Sequence, residues 1–400
     1  MHVAIFSPLP PQRSGIAHYT SELLPLLSRE HEIDLYTDCI QPDSTINSLV
    51  NVFDAHDFIW RRKQTSYDHI IYQLGNATCH DYMWPYLAHY PGHIVLHDGH
   101  VHHSRARSLL SQKRYDAYRA EFAFSHSDCP TDVAELGVQG LLGNLTYFWP
   151  MLGVPMAVAR SVSVHNSRLA ENLQHHYSHS TINTIRMGVS DPTTAIKDST
   201  RHSTRNILGF SSKHVVFAAY GGLTPEKRIP QILRAVKKFK GQTHPLIRLL
   251  LVGNPATHYD ARADAHTLGI EHLVTFTNYV ADADLPKYLA AADVYLCLRW
   301  PSTGETSASM IRCLAMGNRS SLRTSLSTET CQCFSLRGHG LYRTHGRTQS
   351  TQNLSASRST SSMKITRLKL HCDDCVTMQA FASNWVCAPV NTGKPIIDSR

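Results

Sequence analysis

The sequence lacks a long uninterrupted apolar run. Its longest apolar stretch, residues 148–162, is broken by Pro150 and Pro155 and contains Arg160, so it is too short to span a bilayer. It also lacks the leader pattern of a secreted protein, because residues 1–6, M-H-V-A-I-F, already have the composition of a core strand. These absences argue against an integral membrane protein and predict that no signal peptide is present.

The ten cysteines show no disulfide-framework spacing in the first three hundred residues, which predicts a reducing, cytoplasmic compartment. The formal net charge of +8 comes without a basic run dense enough for a nucleic-acid arm, so no nucleic-acid partner is expected. A mildly basic surface suits phosphorylated or anionic partners instead. The length of 400 residues and the apolar fraction of 42% predict a globular protein with two or three well-packed domains.

What the sequence does contain is β-α-β alternation. Residues 2–7 have the pattern of a buried strand, residues 8–15 form a loop with one glycine, and residues 16–27 have helical periodicity. This alternation predicts an α/β fold with two Rossmann-like domains. The predicted boundaries are a first domain at 1–189, a polar linker at 190–212, a second domain at 213–318 and a tail at 319–400.

The segment 299–317 reads R-W-P-S-T-G-E-T-S-A-S-M-I-R-C-L-A-M-G and follows an apolar stretch typical of a parallel strand. After Glu305, helical periodicity begins, and Thr306 and Ser307 are suitable N-cap residues. The pattern predicts a loop that places the Glu305 carboxylate beside free backbone N–H groups, an arrangement that binds anions. The alternative, given equal weight, is that Glu305 only stabilises the first turn of a surface helix.

A second candidate position is His97, which precedes Asp98 at the end of a short apolar strand. A histidine beside an aspartate can hold one tautomer and contact a substrate hydroxyl, although the pair can equally cap a loop. A metal site would need His97, His100 and His103 to converge, which requires a helical loop. No metal site is therefore predicted.

The segment 299–317 resembles the donor-binding segment of retaining GT-B glycosyltransferases of family 4, in a bacterial branch with a G-E-T-S motif. The resemblance implies that Glu305 contacts the sugar ring and that the helix start at Thr306 and Ser307 faces the diphosphate. Arg312 stands where the common pattern has a ribose-binding glutamate. Two departures therefore accompany the match, since Glu305 is also displaced by one residue.

Further segments are similar to the same branch and appear in the same order. The resemblance implies that the loop with Ser14 and Gly15 approaches the donor diphosphate. By the same resemblance His97 reaches the transferred sugar. These implications extend the donor site into the first domain.

In the second domain, Lys227 matches the lysine that clamps the diphosphate in the family, and Arg228 is the candidate substitute for an arginine that this chain replaces by Gly222. The loop at residues 277–280, T-N-Y-V, resembles the one that packs the nucleotide base, which points to Val280.

These implications amount to one function, the transfer of a sugar from a nucleoside-diphosphate sugar to an acceptor hydroxyl with retention. The acceptor is expected to be a glycan or a lipid-linked molecule, and no cofactor is expected besides the donor substrate. Two alternatives stay open: a catalytically dead GT-B remnant that only binds partners, and a nucleotide-sugar-converting enzyme such as an epimerase. The basic amphipathic helix at 229–240 admits a peripheral contact with the inner face of the membrane, although a solvated face over a core is commoner.

After residue 318 the aliphatic periodicity ends and five of the ten cysteines follow. Such a polar segment is predicted not to supply the apolar strand that a GT-B second domain needs beside residues 294–298. The second domain is therefore expected to be incomplete, and residues 319–400 to be an aberrant, frameshifted and disordered tail that trypsin cleaves within 322–363.

Overall fold

The computed structural model describes residues 1–38, 44–192, 196–241, 246–256, 258–316, 321–326, 330–336 and 341–344. The chain divides into two compact units. The first consists of Met1–Ser190 together with Pro301–Ala308, and the second of Asp191–Trp300 with the described residues from Ser309 onward. The segment that carries Glu305 thus belongs to the first unit.

The first unit is built on a seven-stranded parallel sheet. Its strands are β1 His2–Phe6, β2 Glu32–Thr37, β3 Asn51–Asp54, β4 His69–Leu74, β5 His93–Leu96, β6 Ser161–Val164 and β7 Ile182–Thr184. Its helices are α1 Gly15–Leu27, α2 Ser44–Asn47, α3 Phe58–Gln64, α4 Met83–His89, α5 His102–Ser111, α6 Tyr115–Ser125, α7 Thr131–Val138, α8 Gly153–Val158 and α9 Ser167–His176. The strand order is β3-β2-β1-β4-β5-β6-β7. Both faces of the sheet are buried, since Ala4 and Phe6 of β1 enter one core cluster and Val3 and Ile5 another.

The second unit has the same order of its first four strands. Its elements are α10 Asp198–Ile207, β8 His214–Tyr220, α11 Ile229–Lys237, β9 Leu246–Val252, α12 Ala261–Leu268, β10 Val274–Phe276, α13 Leu285–Ala290, β11 Val294–Leu296, α14 Ala308–Ala315, β12 Ser321–Leu326, β13 Thr330–Leu336 and β14 Leu341–Thr344. The strands lie in the order β10-β9-β8-β11-β12-β13-β14, parallel up to β12 and antiparallel from there on. Parallel strands place their carboxyl ends at one edge, where open α/β sheets bind ligands.

The tail departs from the sequence-based expectation. Strand β12 pairs in parallel with β11, with Val294 opposite Ser321 and Leu296 opposite Arg323. The expectation that no strand forms there is wrong, because a ladder is made by main-chain N–H and C=O groups, which a polar but proline-free segment also supplies. Residues 319–320 and 345–400 lie outside the described residues, so the expected disorder and cleavage there stay predictions.

Helix α11 carries the basic amphipathic pattern noted in the sequence. Its apolar residues Ile229, Ile232, Leu233 and Val236 are buried in the core of the second unit, while Lys237 is exposed. Across the parts of the chain that the structure describes, no helix combines the length and the apolar character needed to cross a membrane.

Helix α10 lies in the segment predicted to be a linker, and an ion-pair network fastens it to the second unit. Arg201 and Arg205 both pair with Asp293. Arg201 also donates to the carbonyl of Ala292 at 2.7 Å, and Asp293 accepts from the Val216 N–H at 2.8 Å. A helix of mostly polar residues is thus held by its two arginines rather than by an apolar face.

We expect Asp293→Ala to lower the free energy of unfolding by about 1.5–3 kcal/mol, the usual worth of hydrogen bonds to charged groups. The side chain of Arg205 is only 8% exposed and would lose its carboxylate without gaining water. Denaturant unfolding measures the change. The control is Asp284→Ala, which removes an exposed pair with Lys287 and should cost about 0–1 kcal/mol. Equal losses in the two variants would contradict the assigned role.

Candidate functional site

The loop after β1 begins a helix without covering its first residue. Ser14 has extended backbone and caps α1, its Oγ accepting from the N–H of Ile16 at 3.2 Å. At Gly15 a β-carbon would meet no protein atom within 4 Å. The backbone of this turn is therefore open to close approach, as the diphosphate-binding role expected of Ser14 and Gly15 requires.

His97 follows β5 and is buried with both ring nitrogens near protein groups. Its Nε2 lies 2.7 Å from Oε1 of Gln73, and its Nδ1 lies 3.1 Å from Nε2 of His165. The edge of the Tyr19 ring packs at 4.9 Å between centroids. Burial lowers the pKa of His97 well below its ordinary value, and the neighbouring His165 and His80 add to the effect. His97 is consequently a neutral imidazole at physiological pH.

Asn76 organises the loop that follows His97. Its N–H donates to Oδ2 of Asp98 at 2.8 Å, and its side-chain amide lies 2.8 Å from Nε2 of His100 and 3.3 Å from Nδ1 of His103. His97 turns to different partners, so the three histidines of this region do not share one contact. Among the described residues no group of three or more His, Cys, Asp or Glu side chains is placed to hold a metal ion.

Glu305 is 4% exposed, and its carboxylate is turned toward the preceding loop. Its Oε2 accepts from the hydroxyl of Ser302 at 3.0 Å and from the N–H and hydroxyl of Thr303 at 2.9 and 2.8 Å. Helix α14 begins only at Ala308, so Glu305 does not occupy its first turn. Thr303 also lies against the loop of His97, because a β-carbon at Gly99 would meet its side chain first.

The segment around Thr306 and Ser307 is held by a residue that sequence reasoning did not single out. Nδ2 of Asn166 donates to the carbonyl of Gly304 and to Oγ1 of Thr306, both at 3.0 Å. Its Oδ1 accepts from the N–H of Leu169 at 2.8 Å and so caps α9. Ser307 directly precedes α14. One amide thus ties the Glu305 loop to a helix of the first unit.

In the second unit, Lys227 lies over a glycine turn at the carboxyl end of β8. Gly221 has a φ of +99°, and a β-carbon there would collide with Nζ of Lys227. Nζ donates to the carbonyl of Tyr220 at 2.6 Å and to Oγ of Ser309 at 3.2 Å. Burial lowers the pKa of Lys227 to about 8, and the nearby Arg299 acts in the same direction. The ammonium is therefore poorly solvated and well placed to gain from an anion.

Arg228 adopts a left-handed backbone, with φ +60° and ψ 26°, immediately before α11. Its guanidinium lies 5.4 Å from the centroid of the Trp300 ring. A non-glycine residue in this conformation stores strain of roughly 1–3 kcal/mol, and such strain clusters at functional sites. Val280 follows β10 and packs against the second core of this unit, so its side chain supports the loop while the loop backbone stays at the sheet edge.

Sequence reasoning missed Gln73, His165, Asn166 and Ser309 as members of these two regions. The first three share one signal, because each polar side chain lies at or just after the carboxyl end of a parallel strand. Ser309 follows the G-E-T-S motif by two positions. Nothing in the local pattern distinguishes these residues from other strand-end polar residues.

The fold and the family comparisons agree. The family model described as "Glycosyl transferases group 1" matches residues 200–305. WaaG, a glycosyltransferase involved in lipopolysaccharide biosynthesis, is 14% identical with a TM-score of 0.53, over 81% of this chain and 80% of WaaG. Sucrose-phosphate synthase from Thermosynechococcus elongatus is 14% identical with a TM-score of 0.51, over 81% of both chains.

A third similar structure is HepE from Anabaena in complex with UDP-glucose, which is 15% identical with a TM-score of 0.50 over 79% of each chain. No curated protein matches the chain in sequence. The predicted α/β fold of the GT-B type is confirmed by these structures, and residues 200–305 are matched to a glycosyltransferase domain.

Proposed function

We propose that this protein transfers a sugar from a nucleoside-diphosphate sugar to an acceptor hydroxyl, with retention of the anomeric configuration. The observation that carries the proposal is the buried ammonium of Lys227 over the Gly221 turn, within the segment that the glycosyltransferase family model matches. The UDP-glucose complex of the similar HepE supports a nucleotide sugar as the donor. UDP is accordingly the first nucleotide to test.

The leaving group is a nucleoside diphosphate, so catalysis depends on stabilising negative charge as the glycosidic bond breaks. Lys227 has three N–H donors and makes two hydrogen bonds among the described residues, which leaves donor capacity for a phosphate oxygen. Arg228 is the second cation in that segment. In the first unit, the open backbone at Ser14 and Gly15 and the N–H groups of Thr306 and Ser307 are the proposed diphosphate contacts.

The sugar is held by the groups that border the Gly99–Thr303 contact. The carboxylate of Glu305 is fixed by the Ser302 and Thr303 donors and is proposed to accept from sugar hydroxyls. His97 acts at the same edge, and the loop of Val280 packs the nucleotide base. A contact of the exposed basic side chains of α11 with anionic lipid is part of the proposal, and vesicle co-sedimentation tests it.

The proposal is tested by incubating the full chain with UDP-sugars and simple glycoside, glycan and lipid-linked acceptors. UDP release that requires an acceptor, with a product of the donor's anomeric configuration by NMR, is the expected result. An inverted product overturns the retaining mechanism. Nucleotide binding without transfer to any acceptor indicates a binding protein, and donor conversion without an acceptor indicates an epimerase-type enzyme.

Asn166→Asp is expected to keep the α9 cap while loosening the Glu305 loop. The remaining Oδ1 still accepts from Leu169, but the second carboxylate oxygen faces the carbonyl of Gly304 instead of donating to it. Loss of an orienting partner typically lowers activity about 10–100-fold, and we expect transfer to fall in this range.

Asn166→Ala, which also loses the cap, serves as the comparison. It should lose transfer to a similar extent and in addition about 1 kcal/mol of stability. Circular dichroism melts and initial transfer rates on the same preparations measure both effects. Full transfer activity in Asn166→Asp would show that the loop does not depend on this amide.

A further inference from the structure

Three buried side chains of the first unit form a hydrogen-bonded chain that ends on a main-chain carbonyl. Gln73, His97 and His165 are 5%, 8% and 6% exposed. The contacts run from the Gln73 amide to Nε2 of His97 at 2.7 Å and from Nδ1 of His97 to Nε2 of His165 at 3.1 Å. Nδ1 of His165 then lies 3.3 Å from the carbonyl oxygen of Ile185. Each imidazole therefore has a partner on both nitrogens.

The carbonyl of Ile185 decides where the protons lie, because it can only accept a hydrogen bond. His165 must then carry its proton on Nδ1. Burial lowers the pKa of both histidines, so each ring is neutral and has one N–H. Nε2 of His165 is consequently an acceptor, and Nδ1 of His97 donates to it.

Nε2 of His97 is left with a lone pair that faces the side-chain amide of Gln73. The amide satisfies it by presenting its NH2 group, since the oxygen and nitrogen of an amide occupy equivalent positions. The opposite proton order would let His97 donate to Oε1 of Gln73. It would also place two lone pairs against each other at the 3.3 Å contact with Ile185, which makes it the less stable arrangement.

We propose that His165 is a positioning residue that holds His97 as its Nδ1–H tautomer, so that Nε2 of His97 accepts a hydrogen bond from a hydroxyl of the donor sugar. The tautomer follows from the hydrogen-bonded chain alone, whereas the sugar contact rests on the proposed glycosyl transfer. When the sugar binds, its hydroxyl replaces the NH2 group of Gln73 at Nε2. His97 thereby selects a hydroxyl that can donate.

Nitrogen NMR of histidine-labelled full-length protein, without donor, tests the tautomer. The variant His97→Gln identifies the His97 signal by its loss. The wild-type protein is expected to have a protonated Nδ1 and an unprotonated Nε2 at His97. In His165→Phe the partner is gone and the Nε2–H form should appear. Gln73→Glu should also move the proton to Nε2, because a carboxylate only accepts.

The conservative variant His165→Gln controls for misfolding, since its amide oxygen can still accept from Nδ1 of His97. It should retain the Nδ1–H tautomer, whereas His165→Phe should lose it at a comparable melting temperature. A wild-type His97 with its proton on Nε2, or an unchanged tautomer in His165→Phe, would overturn the proposal.

Kinetics test the sugar contact separately. His165→Phe should lower kcat/KM for the donor tenfold or more without changing the affinity for UDP. The effect should shrink for a deoxy donor that lacks the contacted hydroxyl. If the wild-type protein shows the expected tautomer but transfers no sugar, the proposed function fails and the tautomer assignment stands. If it transfers sugar with the other tautomer, the assignment fails and the function stands.

Discussion

Glu305→Gln is expected to lower sugar transfer by a factor of about 100–1,000 while leaving thermal stability nearly unchanged. The substitution keeps the shape of the side chain and one oxygen that can accept from Ser302 and Thr303. It removes the negative charge that is proposed to act on the sugar, and the loss of one transition-state contact of this kind typically costs that factor. Transfer rates and melting temperatures on the same preparation measure the two effects.

The matched control is Glu271→Gln, which alters an exposed carboxylate of the second unit and should change neither quantity. Glu305→Ala should behave differently, because it removes the acceptor of the Ser302 and Thr303 donors and should also lower the melting temperature. If Glu305 only orders its loop, Glu305→Gln would transfer sugar at the wild-type rate. That result would remove Glu305 from the proposed chemistry.

Lys227→Met is expected to weaken UDP binding tenfold or more and to leave uridine binding unchanged. A charge-assisted hydrogen bond to phosphate is worth roughly 1.5–3 kcal/mol, and methionine retains the apolar length of the side chain. Calorimetric titration with both ligands measures the difference. Lys237→Ala, at an exposed position of α11, is the control and should not change either affinity. An equal loss for UDP and uridine would show that Lys227 acts on the fold instead.

The lowered pKa of Lys227 makes this prediction dependent on pH. Below its pKa of about 8 the ammonium is charged and binds the diphosphate, so UDP affinity should fall as the pH rises above 8 in the wild-type protein but not in Lys227→Met. Unfolding without ligand should show the opposite trend from this group. Its ordinary pKa is 10.5, so the unfolded chain holds the proton between pH 8 and 10.5 and stability rises across that window.

The sequence alone predicted the alternating α/β pattern, the glycine turn that starts α1 and the lysine that lies over the turn after β8. These features depend on residues close together in the chain, where periodicity, capping and glycine conformations act. The ends of the predicted elements were less certain. Helix α14 begins at Ala308, which moves Glu305 out of its first turn, and a helix replaces most of the predicted linker.

Only the tertiary structure decided what each candidate side chain contacts. His97 meets His165 across 68 residues, and Asn166 meets Gly304 across 138. Such contacts arise because parallel strands bring their carboxyl ends to one edge, and the strand order that does so is not written in any local pattern. Strand β12 shows the same limit, since the backbone of a polar segment completed a ladder that its composition argued against. Local sequence determined the elements of this protein, and long-range packing determined its candidate site.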